Sequence, residues 1–252
     1  MDAASLLQAL KTHFGFNSFR PYQEEIVSQV LARQDCLAIL PTGSGKSLCY
    51  QLPALLSEGI AVVVSPLIAL MQDQVQSLQK LDIPAVSLNS SMTGTERYET
   101  FQQLDQQKLL YLSPELLLTD AMQARLRSLK VSFFVIDEVH CISEWGHSFR
   151  PEYRQLKCLK AQFPSVPILG VTATATQKVA TDILQQLQMR ETNVIKGSFD
   201  RPNLMIQVKD RNGTRDQVMA FLKDHPGHTG IIYASTRKGV DQMAKYLQTQ
   251  QI

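Results

Sequence analysis

Residues 36–50 read "CLAILPTGSGKSLCY", an apolar run that breaks into two glycines, a lysine and a serine. The run predicts a buried strand from Leu37 to Leu40, a turn through Thr42-Gly43-Ser44-Gly45, and a helix opening at Lys46. Glycines in such a turn let backbone N–H groups converge on phosphate oxygens, and the helix N-terminus adds partial positive charge. Lys46 is expected to reach the β- and γ-phosphates of a nucleotide, and the Ser47 hydroxyl to ligate Mg²⁺. Thr42, Gly43, Ser44, Gly45, Lys46 and Ser47 are thus the candidate nucleotide-binding residues. The strict spacing G-x-x-x-x-G-K-[ST] wants glycine at position 40, where this chain has Leu40. Taken alone, the stretch also suits a Gly-rich strand-to-helix turn with a surface lysine.

Outward from this stretch the same alternation continues. "IAVVVS" (60–65), "KLLYLS" (108–113), "SFFVID" (132–137) and "PILGVT" (167–172) are short continuous apolar runs. Such runs belong to strands buried on both faces, which is the habit of a parallel sheet. Helical patterns lie between them. In "PYQEEIVSQVLAR" (21–33) Ile26, Val27, Val30 and Leu31 share one face, and Pro21 suits a first helical turn. The expected fold is α/β, a parallel sheet with helices on both faces and right-handed crossovers. A boundary is expected near "GSFDRPN" (197–203), which is rich in turn formers. Beyond it "LMIQVK" (204–209), a helix from about Thr214, "TGIIYAS" (229–235) and a last helix are expected to begin a second βα series that stops mid-pattern at Ile252.

The chain has 252 residues, 44% apolar and 19% charged, with a net charge of +2. That balance describes an ordinary globular protein and leaves any basic surface local. Cys36, Cys49, Cys141 and Cys158 form no C-x-x-C pair, so neither a zinc ribbon nor a disulfide framework is suggested, and reduced thiols are expected. "MDAASLLQALK" lacks the form of a signal peptide, and no apolar run approaches the roughly 18 residues of a membrane span. A soluble, intracellular protein with no membrane partner is expected.

A nucleotide motor needs a carboxylate at the end of a neighbouring strand, and "FFVIDEVH" (133–140) supplies Asp137-Glu138. Asp137 is placed to hold Mg²⁺ and Glu138 to polarise an attacking water. Paired acids at a strand end also suit a solvated turn, but the two elements would meet at the same sheet edge, which favours an NTP hydrolysis site. "GVTATAT" (170–176) reads as plain β-propensity with a helix N-cap at Thr174 or Thr176. Trp145, the sole tryptophan, follows the acids together with His147, Phe149 and Arg150. Bases of a single strand stack on such aromatics for about 1–3 kcal/mol each. Trp145 and Phe149 packing under the sheet is the competing reading. His140, Cys141 and His147 do not fit a common zinc spacing.

Taken together, these motifs resemble the superfamily 2 helicases, and more narrowly the RecQ family of DNA helicases. "FGFNSFRPYQ" (14–23) is similar to the family's adenine-recognition motif. The resemblance implies Phe16 stacked on the base, with Arg20 and Gln23 contacting it. "VVVSPLIALMQDQV" (62–75) resembles a motif that touches the single strand's backbone, and "DEVHCISEWGHSFRPEY" (137–153) resembles the family's aromatic-rich loop. It implies that Trp145, His147, Phe149 and Arg150 bind DNA, and that His140, Thr172 and Thr174 couple the nucleotide and DNA sites. It further implies a RecA-like first domain over residues 1–200 and an incomplete second RecA-like domain over 201–252. ATP and Mg²⁺ are the implied cofactors, single-stranded and forked DNA the implied partners, and 3′ to 5′ movement the implied action. An arginine finger, a zinc module and a winged helix would lie past Ile252, so residues 1–252 are expected to hydrolyse ATP barely and not to unwind. The location implied is the nucleoid of a prokaryote or the nucleus of a eukaryote. An RNA helicase of the DEAD/DEAH group fits "DEVH" alone, whereas the Trp145 loop argues against it. A nucleotide-gated DNA-binding module without unwinding is the alternative from another class.

Overall fold

A computed structural model describes residues 2–89, 91–146, 148–189, 193–198 and 203–252. Seven strands make one sheet: β1 (Cys36–Ile39), β2 (Ile60–Val64), β3 (Ala85–Leu88), β4 (Leu109–Leu112), β5 (Val131–Ile136), β6 (Ile168–Thr172) and β7 (Asn193–Lys196). Their spatial order is β3-β4-β2-β5-β6-β1-β7, and every pairing is parallel. The apolar runs become the buried strands because both faces are covered. Leu37, Ile39, Val62, Val64, Phe134 and Ile136 point into one core. Their alternates Cys36, Ala38, Ala61, Val63, Phe133 and Val135 point into the other. The N-terminal helix Ala3–Phe14 adds a third layer, packing Leu6 and Leu10 on Val27, Leu48 and Leu52.

Several local expectations need correction. β3 and β7 were not legible as strands: Ser87 in β3 is half-buried, and β7 buries only Ile195. Helix Gln23–Leu31 starts two residues after Pro21, because Tyr22 sits in the left-handed region at φ 71° and separates the proline from the helix. The helix expected at Lys46 is Leu48–Leu56. Gly45, at φ 80°, turns the chain, and i→i+3 bonds such as Cys49 N to Lys46 O (3.0 Å) wind the segment before the α-ladder begins. Of the two possible caps, Thr176 is the one used, its hydroxyl accepting from Val179 N ahead of helix Gln177–Gln186.

Residues 1–200 and 201–252 form two compact units. The second contains helices Thr214–Asp224 and Arg237–Thr249. Neither "LMIQVK" nor "TGIIYAS" is a strand. An extended segment becomes a strand only when a neighbour supplies the ladder, and Val208 stands 94% exposed. No helix among the described residues is long and apolar enough to cross a membrane.

Gly59 opens β2 at φ 87°, where a Cβ would lie 1.9 Å from Lys130 O, the acceptor of Ile60 N–H. Gly59→Ala is expected to cost at least about 1–3 kcal/mol from the backbone conformation alone, with the clash added. Urea unfolding should show the midpoint falling; an unchanged midpoint would contradict this packing.

Candidate functional site

The phosphate-loop candidates and the paired acids meet at the C-terminal edge of the sheet. Thr42, Gly43, Gly45, Lys46, Ser47, Ser65, Asp137 and Glu138 line one cavity of about 330 Å³, with Tyr50, Leu70, Met71, Gln74 and Tyr111 closing it. β5 is not the immediate neighbour of β1, as the sequence had suggested; β6 runs between them. The register aligns Ile39 with Thr172 and Ile136 with Gly170. Leu40 N–H, at the loop's entry, donates to Thr172 O at 3.0 Å. The strand that separates the two halves of the site therefore also fixes their spacing.

The loop is held from below. Gln23 is buried; its Oε1 accepts from Arg20 N (2.8 Å), and its Nε2 donates to Ser44 O and Gly45 O (3.1 Å each). Arg20 donates to Gly43 O. The φ of Gly45 favours glycine, and a Cβ there would lie 2.5 Å from Gln23 Nε2 and displace that amide from the loop's carbonyls. Arg20 and Gln23, expected at adenine, here brace the carbonyls of the loop, while Phe16 nearby in sequence is 53% exposed. Lys46 Nζ turns back to Leu40 O (3.2 Å) and Pro41 O (3.4 Å). No carboxylate among the described residues forms an ion pair with it. The Ser44 hydroxyl is buried with no hydrogen-bond partner among the described residues. A cation bonded only to carbonyls and an orphaned hydroxyl in one loop suit an anionic ligand.

Across the cavity, Asp137 Oδ1 accepts from Glu138 N–H (2.9 Å) and Oδ2 from the Ser65 hydroxyl (3.3 Å). Tyr153 Oη donates to Asp137 O at 3.0 Å. Burial, with Glu138 close by, pushes the Asp137 carboxyl up to about 6. A carboxylate so strained by its own ionisation suits a cation. Glu138 adopts φ 46°, uncommon for a non-glycine residue and often found where geometry serves a site. Its Oε2 lies 3.2 Å from His140 Nδ1. The same nitrogen is 2.8 Å from Thr172 Oγ1, and Thr172 Oγ1 accepts from Thr174 N–H at 3.2 Å. The Cys141 thiol and the Glu138 carboxylate raise His140 to about 9 against the lowering effect of burial. An unbroken chain thus runs from Glu138 through buried His140 and Thr172 to exposed Thr174. Sequence reading missed Ser65, Tyr50, Tyr111 and Gln74. Only Ser65 carried a usable signal, its place at the end of "IAVVVS".

The aromatic loop does not pack under the sheet. Trp145 is 63% exposed and Phe149 is also at the surface. Lys178 Nζ lies over the Trp145 ring, 3.1 Å from its centroid. The Arg154 guanidinium lies 5.7 Å from that of Phe149. Arg150 Nη1 donates to Pro66 O (3.2 Å), joining this loop to the "SPLIA" stretch. A Cβ on Gly146 would meet His140 O at 2.8 Å, so the loop folds back closely on the histidine. His147 lies outside the described residues.

An open parallel sheet with a glycine loop and paired acids at one edge defines a nucleotide-site architecture, and the comparisons give it a family. Residues 20–183 match the model of the DEAD/DEAH box helicases. The chain is 44% identical over 250 residues to the ATP-dependent DNA helicase RecQ of Haemophilus influenzae, covering 98% of this chain and 40% of that protein. It is 41% identical to the RecQ-like DNA helicase BLM of Xenopus laevis, covering 96% of this chain and 19% of the relative. Among solved structures, the DUF1998 helicase MrfA aligns with a TM-score of 0.72 at 18% identity, over 99% of this chain and 41% of that one. The helicase domain of Pyrococcus furiosus Hef aligns with a TM-score of 0.55 at 21% identity, over 81% and 45%. The chain belongs to the DEAD/DEAH box helicase family, beside the RecQ proteins. It spans about 40% of the length of the Haemophilus relative.

Ionising Asp137 opposes folding. With its folded pKa raised to about 6, the stability it contributes is fully present below its unfolded value near ~4 and is lost as the pH rises through the folded value. Asp137→Asn should therefore raise the melting temperature at pH 7.5, by about 2–4 °C per kcal/mol relieved, and the gain should vanish below pH 4. A lower melting temperature at pH 7.5 would contradict the assignment.

Proposed function

We propose that this chain carries the nucleotide-hydrolysing core of an ATP-dependent DNA helicase of RecQ type, coupling ATP hydrolysis to 3′ to 5′ movement on single-stranded DNA and to duplex unwinding. What carries the reading is the shared cavity of Lys46, Ser47, Asp137 and Glu138 at the sheet's C-terminal edge. Phosphoryl transfer needs little beyond positioning and charge stabilisation, and these four side chains offer both. Lys46 would leave its two carbonyls for the β- and γ-phosphates, and the backbone of Thr42, Gly43, Ser44 and Gly45 would cradle them. Ser47 and Asp137 would hold Mg²⁺, whose charge neutralises the phosphate oxygens. Glu138 would orient the attacking water and take its proton, with His140 fixing the carboxylate. Phe16 would stack on adenine beside Arg20 and Gln23.

Trp145, Phe149 and Arg150, with His147, would engage a single strand. The Glu138–His140–Thr172–Thr174 chain would report that engagement to the hydrolytic carboxylate. Residues 1–200 would be the first RecA-like domain and 201–252 the opening of the second, whose arginine finger would supply the remaining charge at the γ-phosphate.

Two variants of the full-length protein separate the roles. Glu138→Gln should bind ATP normally while losing at least about 10²-fold in turnover, whereas Lys46→Ala should lose both. Equal loss of affinity and rate in Glu138→Gln would remove Glu138 from water activation.

Trp145→Ala should leave DNA-free ATPase intact and blunt its stimulation by single-stranded DNA. The exposed ring makes a folding defect an unexpected outcome, and a thermal melt beside the ATPase assay checks that. Undiminished stimulation would defeat the sensor reading.

A further inference from the structure

Lys178 stands in the first turn of helix Gln177–Gln186, after the Thr176 cap. A cation there opposes the helix dipole, which favours negative charge at that end. No carboxylate among the described residues forms an ion pair with it. Its partner is instead the Trp145 ring, 3.1 Å from ammonium to centroid. An ammonium over an indole face is attracted by the ring's quadrupole. It also occupies one of the two ring faces on which a base could stack.

The position of this contact matters as much as its strength. Trp145 belongs to the loop that follows Glu138 and His140, and Gly146 folds that loop onto His140 O. Lys178 belongs to the helix that follows Thr172 and Thr174. The cation–π contact therefore clamps together, at the surface, the same two segments that the His140–Thr172 bond joins inside.

We propose that Lys178 is a latch on the aromatic loop: it covers one face of the indole in the DNA-free protein, and a base must displace it to stack on that face of Trp145. The inference rests on the reading of Trp145 as a stacking platform. The latch sets a threshold for the loop, because stacking of about 1–3 kcal/mol per base must first replace an exposed cation–π contact. It also holds the loop and the Thr172 segment in one relative position until a strand arrives.

Trp145 is the sole tryptophan of residues 1–252, and in the full-length protein its signal is read as the difference between each protein and the same protein carrying Trp145→Phe. In the full-length protein, Lys178→Ala should make DNA-free Trp145 more accessible to acrylamide quenching, and Lys178→Arg should restore protection. Lys178→Ala should also bind a labelled oligothymidylate about 2- to 5-fold more tightly, the size of an exposed cation–π contact. Unchanged quenching would show that the latch is absent. Weaker binding with a salt slope reduced by about 1 would make Lys178 a phosphate contact and overturn the proposal. Unchanged affinity would also overturn it, and Trp145→Ala in the same titration then assigns the fault. Loss of binding there keeps the stacking platform and removes only the latch; retained binding removes the platform itself.

Discussion

The placement of β6 between β1 and β5 is the constraint on which the site depends. Three parallel strands in fixed register deliver a glycine loop, a threonine and a pair of acids to one edge. Parallel ladders tolerate no slip here, because a one-residue shift would turn each strand's core residues to the other face. The bond from Leu40 N to Thr172 O and that from Asp137 N to Val64 O (2.8 Å) tie the strand ends themselves. The loop is braced from the opposite side by Gln23, whose amide satisfies two of its carbonyls. A site of opposed charges is thereby held apart and open, as the proposed hydrolysis would require.

That preorganisation is not free of strain. Asp137 ionises against its surroundings, Glu138 sits at a positive φ, and the Ser44 hydroxyl is orphaned. Each is a local defect in folding terms; Asp137 and Glu138 line the cavity, and Ser44 lies in the loop that borders it. Clustering of this kind is expected where stability is traded for function. In the proposed reading, nucleotide and metal relieve these defects, and the His140–Thr172 bond carries the change toward the aromatic loop.

Much of the fold was legible because fully buried strands announce themselves as unbroken apolar runs. β3 and β7 escaped because Ser87 interrupts one and three exposed residues surround Ile195 in the other. The paired acids and the glycine loop could be read from spacing, but the strand lying between them could not, since strand order is a tertiary fact. Gln23 illustrates the same limit. Its helical position was readable, whereas its role as a brace depends on carbonyls 21 and 22 residues away. Apolar content alone misled at "LMIQVK" and "TGIIYAS", where no strand among the described residues pairs with the backbone. Trp145 could be singled out as unusual, yet only exposure decided between core and surface.

The central claim is that one sheet edge holds ATP through Lys46 and a metal through Ser47 and Asp137. A crystal structure of the full-length protein with Mg²⁺ and a non-hydrolysable ATP analogue tests it most directly. The account predicts phosphates against Thr42–Ser47, Lys46 withdrawn from Leu40 O and Pro41 O, and the metal touching Ser47 with Asp137 beside it. A nucleotide bound elsewhere, or a metal with no contact to either residue or its bound waters, would contradict it.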